Sequence, residues 1–220
     1  LCTEVLGSKN WGFVNINLRT YYAEGSKTVG YEIIEQLGWK APKNIVVCMA
    51  SGSLLTKIYK SIKEFEDLGF IEPNDTKIFG AQATGCSPIS TAVKNKWPVF
   101  KPVKPKTIAK SLAIGNPADG INAINLLNSI NSYSEDVSDP EIVDAMKLLA
   151  ETEGIFTETA GGVTLACAKK MIESGKLPRN ESLVLVITGN GLKTQDPLVN
   201  NITKPYIIEP RIEDFNKIFG

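Results

Sequence analysis

The sequence contains no histidine among its 220 residues. This absence excludes Ser-His-Asp and Cys-His catalytic groups, the HExxH zinc motif and every histidine general base. An enzyme built from this chain must therefore draw on a cofactor, on lysine or on carboxylates.

The sequence also lacks an excess of either charge and any long apolar run. Lys+Arg and Asp+Glu both number 24, so we expect neither a nucleic-acid partner nor binding to an anionic membrane surface. No apolar run approaches the length that spans a bilayer. The first residues, Leu1 to Glu4, lack an initiator methionine and the basic and apolar regions of a signal peptide, and we expect the chain to be a fragment.

Cysteine is scarce and scattered. The four cysteines are Cys2, Cys48, Cys86 and Cys167, and none belongs to a CxxC pair. This spacing favours reduced thiols in a cytoplasmic protein over a disulfide framework or a zinc site, and no metal site is expected.

One stretch of the sequence predicts a strand, a tight turn and a helix in direct succession. The apolar run 45–49 predicts a buried strand, the small residues 50–53 a turn, and an apolar stripe a helix over 54–68. Such a unit aims free backbone N–H groups and the positive end of the helix dipole at one point, which favours phosphate binding. The pattern is also typical of an ordinary strand-to-helix turn, and the residues alone leave both interpretations open.

Strands and helices alternate along the rest of the chain. Further strands are predicted near 11–16, 77–83 and 183–187, and further helices near 26–37, 86–93, 120–130, 139–153 and 162–174. The Pro- and Lys-rich stretch 95–107 predicts an extended surface loop. The alternation predicts an α/β fold with a mostly parallel sheet and helices on both faces, in three layers.

Thr188 is a second candidate ligand residue. Ligands of parallel sheets bind beyond the carboxyl ends of the strands, and Thr188 directly follows strand 183–187 with a hydroxyl that can donate or accept. The run Thr188-Gly189-Asn190-Gly191 is equally typical of a turn that tolerates positive φ.

Four separated blocks of the sequence resemble threonine synthases. They are Phe13–Arg19 with Tyr21–Thr28, Lys110–Gly120, Thr152–Ala160, and Val186–Lys193. The resemblance runs from about Trp11 to Thr194. It implies a pyridoxal-phosphate enzyme of the tryptophan-synthase-β fold type, also called fold type II, that converts O-phosphohomoserine and water to threonine and phosphate.

The resemblance implies roles for particular residues. The loop that cradles the cofactor phosphate through backbone N–H groups corresponds to Ala50, Ser51, Gly52, Ser53 and Leu54. Thr188 corresponds to the hydroxyl residue that hydrogen-bonds the pyridine nitrogen and leaves it largely unprotonated. Asn15 and Arg19 correspond to residues that help to bind the anionic groups of the substrate.

The lysine that forms the Schiff base in this family is not found in the chain. It lies upstream, in a Ser-Phe-Lys-Asp-like motif that a Ser-Gly-Asn-Thr-like motif follows, and neither motif is present. Lys27 is predicted to be a surface lysine early in a helix, and Lys193 is not expected to react either. The chain therefore resembles the C-terminal portion of the enzyme, without a catalytic residue of its own and inactive without an N-terminal half.

The resemblance also predicts a domain division and leaves several alternatives open. Residues 1–25 are interpreted as the remnant of an upstream domain and a connecting strand, 26–205 as the α/β cofactor-binding domain, and 206–220 as a C-terminal tail with a short docking helix. The alternatives are a threonine dehydratase, a cysteate synthase, or a non-catalytic cofactor-binding or assembly half, and a homo-oligomer also stays open. For Glu158, helix capping and active-site lining are both consistent with the sequence.

Overall fold

The structure, a computed structural model, describes residues 2–12, 19–199 and 205–220, without the side chains of residues 2, 3 and 19. The strands are β1 (Asn44–Cys48), β2 (Lys77–Ala83), β3 (Ser134–Val137) and β4 (Leu183–Val186). The helices are α1 (Cys2–Ser8), α2 (Arg19–Gly25), α3 (Thr28–Gln36), α4 (Ser53–Asp67), α5 (Pro88–Lys94), α6 (Gly120–Ser129), α7 (Asp139–Glu153), α8 (Thr159–Glu173) and α9 (Ile212–Phe219). The strand predicted near 11–16 lies mostly outside the described residues.

The four strands form one parallel sheet in the order β3-β2-β1-β4. In β1, Val46 pairs with Phe79 of β2 on one side and with Leu185 of β4 on the other. All five residues of β1 are buried, as expected for a central strand that helices cover on both faces. The predicted parallel α/β fold is confirmed.

Alternate residues of β1 supply the two cores of the domain. Ile45 and Val47 face the layer of α3, α4, α5 and α6, where Ile58 and Ile124 are fully buried. Val46 and Cys48 face the second layer, formed by α7 and α8. The strand's period of two thus divides one apolar run between two helical layers, which confirms the three-layer arrangement.

Strand β3 was not predicted, because its sequence, Ser-Glu-Asp-Val, is polar. The buried hydroxyl of Ser134 lies 2.6 Å from that of Ser90. The buried carboxylate of Glu135 forms an ion pair with Lys94. A polar strand is stable at this sheet edge because side chains from other elements satisfy its buried groups, and hydropathy alone cannot show those partners.

The ends of α7 follow from local chemistry. Ser138 and Glu141 form the capping box, in which Glu141 Oε2 accepts the Ser138 backbone N–H at 2.6 Å. Gly154 ends the helix with φ of +68°, the left-handed conformation that glycine adopts without strain. The predicted bounds of this helix are confirmed.

Helix α8 begins three residues before the predicted start, at Thr159 rather than Gly162. The pair Gly161-Gly162 has poor helix propensity, which argued for a later start. A Cβ on Gly162 would lie 2.7 Å from Met146 Cγ and 2.8 Å from the Ile142 carbonyl oxygen. Glycine is therefore required where α8 packs closely against α7, and that requirement outweighs propensity.

The prediction that Lys27 is a surface residue is wrong. Lys27 is only 7% exposed, and its ammonium group pairs with Glu24 and, at 2.6 Å, with Glu64. Glu64 lies on α4, 37 residues farther along the chain, so the local sequence could not show this second partner.

The remaining predictions concern the thiols and the tail. Cys48, Cys86 and Cys167 are free and buried. Helix α9 forms within the predicted tail, but none of its residues is buried, so its docking stays a prediction, as does the division at 25 and 205. No helix of the described ranges combines the length and the apolar character needed to cross a membrane.

Candidate functional site

A cleft of about 210 Å³ opens beyond the carboxyl ends of β1 and β4. The end of β1 and the following turn form one wall, and Thr188 after β4 forms another. Tyr22 of α2, Ser111 and Glu158 complete the lining. The structure thus brings the two candidate segments, 50–54 and Thr188, to one cleft at the end of the sheet where parallel α/β folds bind ligands.

The turn 50–54 has the backbone geometry of an anion site. Gly52 has φ of +91° and directly precedes α4, whose first-turn N–H groups have no intrahelical acceptors. The Ser51 carbonyl accepts the Asp119 N–H at 3.0 Å, which fixes the turn against the segment that leads into α6. The positive end of the α4 dipole therefore faces the cleft across a turn that carries only small side chains.

Two buried hydroxyls at this end of the sheet lack a protein partner. Among the described residues, only Ser53 Oγ and Thr159 Oγ1 are buried side-chain polar atoms without a hydrogen bond. Ser53 begins α4 and Thr159 begins α8, so both lie at helix starts that border the cleft. Buried unsatisfied hydroxyls cost free energy, and a bound oxyanion is the kind of acceptor that would satisfy them. The residues present therefore fit a phosphate-bearing group.

Thr188 meets the end of β1 through Cys48. Thr188 Oγ1 and Cys48 Sγ lie 3.6 Å apart, and Thr188 is half-buried. Burial raises the pKa of the Cys48 thiol, which keeps this wall of the cleft neutral. The Thr188 hydroxyl is thus a neutral hydrogen-bonding group on a rigid edge of the sheet.

Glu158 is the buried charge of the cleft. It is 4% exposed, its side chain makes no capping bond to α8, and it lines the cleft instead. Its Oε2 accepts from Ser111 Oγ at 3.3 Å and lies 3.3 Å from Lys193 Nζ. The pair with Lys193 lies at the mouth of the cleft, where Lys193 itself is exposed.

Sequence reasoning did not assign Tyr22 and Ser111 to the cleft. Both lie in segments far from β1 and β4 along the chain, so periodicity could not bring them together. The signal that could have found them was their position inside blocks 21–28 and 110–120 of the family resemblance.

The predicted substrate residues are less well placed by the structure. Asn15 lies outside the described residues, and Arg19 begins α2 with its side chain outside them. Among the described residues that line the cleft, none is a lysine. The roles of Asn15 and Arg19 and the position of the reacting lysine stay predictions.

Comparison with known proteins gives the family. The model of the family described as "Pyridoxal-phosphate dependent enzyme" matches residues 1–189, which is most of the chain. The chain belongs to the pyridoxal-phosphate dependent enzymes. Pyridoxal phosphate is therefore the cofactor that the turn 50–54 and Thr188 must be judged against.

The relatives of this pyridoxal-phosphate dependent enzyme include threonine synthases. The chain is 38% identical over 194 residues to a threonine synthase of Methanocaldococcus jannaschii, covering 88% of this chain and 48% of that protein. It is 34% identical over 206 residues to one of Methanosarcina acetivorans, covering 93% of this chain and 51% of that protein. The chain thus spans about half the length of the curated relatives that it matches.

Solved structures of the same fold confirm the architecture. A bacterial threonine deaminase, from the source abbreviated T.th., superposes with a TM-score of 0.58 at 18% identity, over 82% of this chain and 59% of that chain. Maize serine racemase superposes with a TM-score of 0.55 at 22% identity, over 80% of this chain and 51% of that chain. At these identities the likeness shows a shared fold and carries no substrate.

Proposed function

We propose that the chain is the C-terminal portion of a threonine synthase, a lyase that converts O-phosphohomoserine and water to threonine and phosphate. The observation that carries the proposal is the meeting of the 50–54 turn and Thr188 in one cleft. It occurs in a chain that is 38% identical to a threonine synthase. A threonine dehydratase or a cysteate synthase is less well supported, because the deaminase likeness is one of fold at 18% identity.

In this proposal the chain's own groups hold the cofactor at its two ends. The backbone N–H groups of residues 51–54 bind the phosphate, with the α4 dipole adding to the attraction. The Thr188 hydroxyl hydrogen-bonds the ring nitrogen. A neutral hydroxyl does not protonate that nitrogen, so the ring, which supplies the electron sink of the reaction, is a weaker sink than with a carboxylate partner. Proton transfers steered by the protein then decide which product forms.

The proposal assigns the covalent attachment of the cofactor to the missing N-terminal half. The chain covers 48% and 51% of two threonine synthases, so half of such an enzyme lies outside the match. Lys193, at the cleft mouth, is paired with the Glu158 carboxylate. The N-terminal half, the substrate O-phosphohomoserine and a second copy of the chain are the proposed partners.

A labelling experiment tests this assignment. The purified chain is mixed with pyridoxal phosphate, reduced with borohydride, digested and mapped by mass. We expect reversible, phosphate-competed binding, no stoichiometric adduct on any single lysine, and no threonine from O-phosphohomoserine, because no lysine lines the described cleft. Pyridoxal without its phosphate is the control ligand, and it should bind more weakly.

Two results would contradict the proposal in different ways. One stoichiometric adduct, for example on Lys27 or Lys193, together with threonine formation, would show that the chain carries its own reacting lysine. Equal affinity for pyridoxal and pyridoxal phosphate would show that the 50–54 turn does not bind the phosphate.

A further inference from the structure

A partly buried ionic network links α2 to α4. It consists of Glu24, Lys27, Lys57 and Glu64 and is called the Lys27 network below. Lys27 Nζ pairs with Glu24 and lies 2.6 Å from Glu64 Oε1, while Lys57 Nζ lies 3.0 Å from Glu24 Oε1. The pairing with Lys27 and Lys57 lowers the pKa of Glu24 to about 2, so its charge persists at neutral pH.

The network fixes α2 relative to the phosphate turn. Lys57 and Glu64 both belong to α4, the helix whose start forms the anion site. Tyr31 of α3 donates from its hydroxyl to Glu64 Oε2 at 2.5 Å, which ties a third helix to the same carboxylate. Since Lys27 is only 7% exposed, solvent screens its pairs less than it screens a surface ion pair.

Tyr22 is the part of α2 that reaches the cleft. It lies two residues before Glu24 on the same short helix, lines the cleft, and is 50% exposed. Among the described residues that line the cleft, it is the only aromatic one. An aromatic ring held at a cleft mouth gives a planar ligand a surface for stacking.

We propose that Tyr22 contacts the planar, anionic ligand bound in the cleft and that the Lys27 network positions Tyr22 for that contact. This inference rests on the proposed function in one respect, namely that the cleft binds pyridoxal phosphate. It adds a contact residue from outside the sheet, and it gives the buried Lys27 a positioning role that the cofactor-binding residues do not explain.

The test compares three variants of the full chain with the wild-type chain. Tyr22→Ala removes the ring, Glu24→Gln breaks the network, and Lys43→Gln breaks an exposed ion pair with Asp75 as the matched control. Pyridoxal phosphate affinity is measured by equilibrium dialysis. The alkylation rates of Cys48, which lines the cleft, and of Cys167, which is buried in the core, are measured by mass spectrometry.

We expect Tyr22→Ala and Glu24→Gln to weaken pyridoxal phosphate binding by roughly three- to tenfold, the size of one lost aromatic contact. Both should speed the alkylation of Cys48 by a similar factor, because the cleft mouth opens, and leave Cys167 unchanged. Lys43→Gln should change none of these quantities. The ratio of Cys48 to Cys167 alkylation separates positioning of the mouth from general loss of stability.

Each contrary result overturns a defined part of the inference. If the wild-type chain binds pyridoxal phosphate and Tyr22→Ala binds it equally well, the contact is wrong and the proposed function stands. If Glu24→Gln speeds Cys167 as much as Cys48, the network only stabilises the fold and the positioning role is wrong. If the wild-type chain does not bind pyridoxal phosphate, the contact and the proposed function are both wrong.

Discussion

Replacing Gly52 with valine is expected to weaken pyridoxal phosphate binding by roughly 5- to 150-fold, which corresponds to about 1–3 kcal/mol of backbone strain. Gly52 has φ of +91°, where a β-branched residue is strongly disfavoured. A Cβ there would lie 3.0 Å from Ala123 Cβ and 3.1 Å from the Asp119 carbonyl oxygen. The added side chain therefore points away from the cleft, and it acts by forcing the turn and its N–H groups out of position.

Gly38→Val is the matched control for this substitution. Gly38 also has positive φ, +68°, but a Cβ there meets no atom within 4 Å, and Gly38 is not part of the cleft. It should lower the free energy of unfolding through the same kind of strain and leave cofactor affinity unchanged. Unchanged affinity in Gly52→Val, or an equal loss in Gly38→Val, would count against the phosphate turn. Equilibrium dialysis and thermal unfolding of both variants supply the measurements.

The second large effect is expected at the α7–α8 contact. Gly162→Ala should lower the free energy of unfolding by about 2 kcal/mol, because overpacking a close contact typically costs about 1–3 kcal/mol. The new Cβ would lie 2.8 Å from the Ile142 carbonyl oxygen, a backbone atom that cannot move unless the helices separate. For a domain of this size the melting temperature should fall by roughly 4–8 °C.

The sign of this change is what makes it decisive. Helix propensity alone would make Gly→Ala stabilising by about 1 kcal/mol. Gly7→Ala in α1, where a Cβ meets no atom within 4 Å, should show that stabilising or neutral effect in the same unfolding assay. A Gly162→Ala protein as stable as the wild-type protein would show that α7 and α8 are not packed as closely as described.

The cleft illustrates which parts of a site a sequence can indicate. The turn 50–54 and Thr188 each follow a predicted strand directly, so the parallel sheet alone placed them at the same end of the domain. Glu158 has no such anchor. Its partners Ser111 and Lys193 come from separate loops, and only the packed domain brings the three together.

The sequence by itself determined the elements whose signals are local. The apolar run of β1, the capping box of α7 and the glycine that ends it all act within a few residues, so pattern and propensity suffice. Tertiary structure alone decided the polar edge strand β3, the early start of α8 and the burial of Lys27. In each case a partner far along the chain reverses a local preference: Lys94 neutralises Glu135, α7 requires Gly162, and Glu64 pairs with Lys27. Burial makes each of these long-range contacts strong enough to override local preference, since an unpaired polar group or an overlapping atom costs more in the interior than any propensity gains.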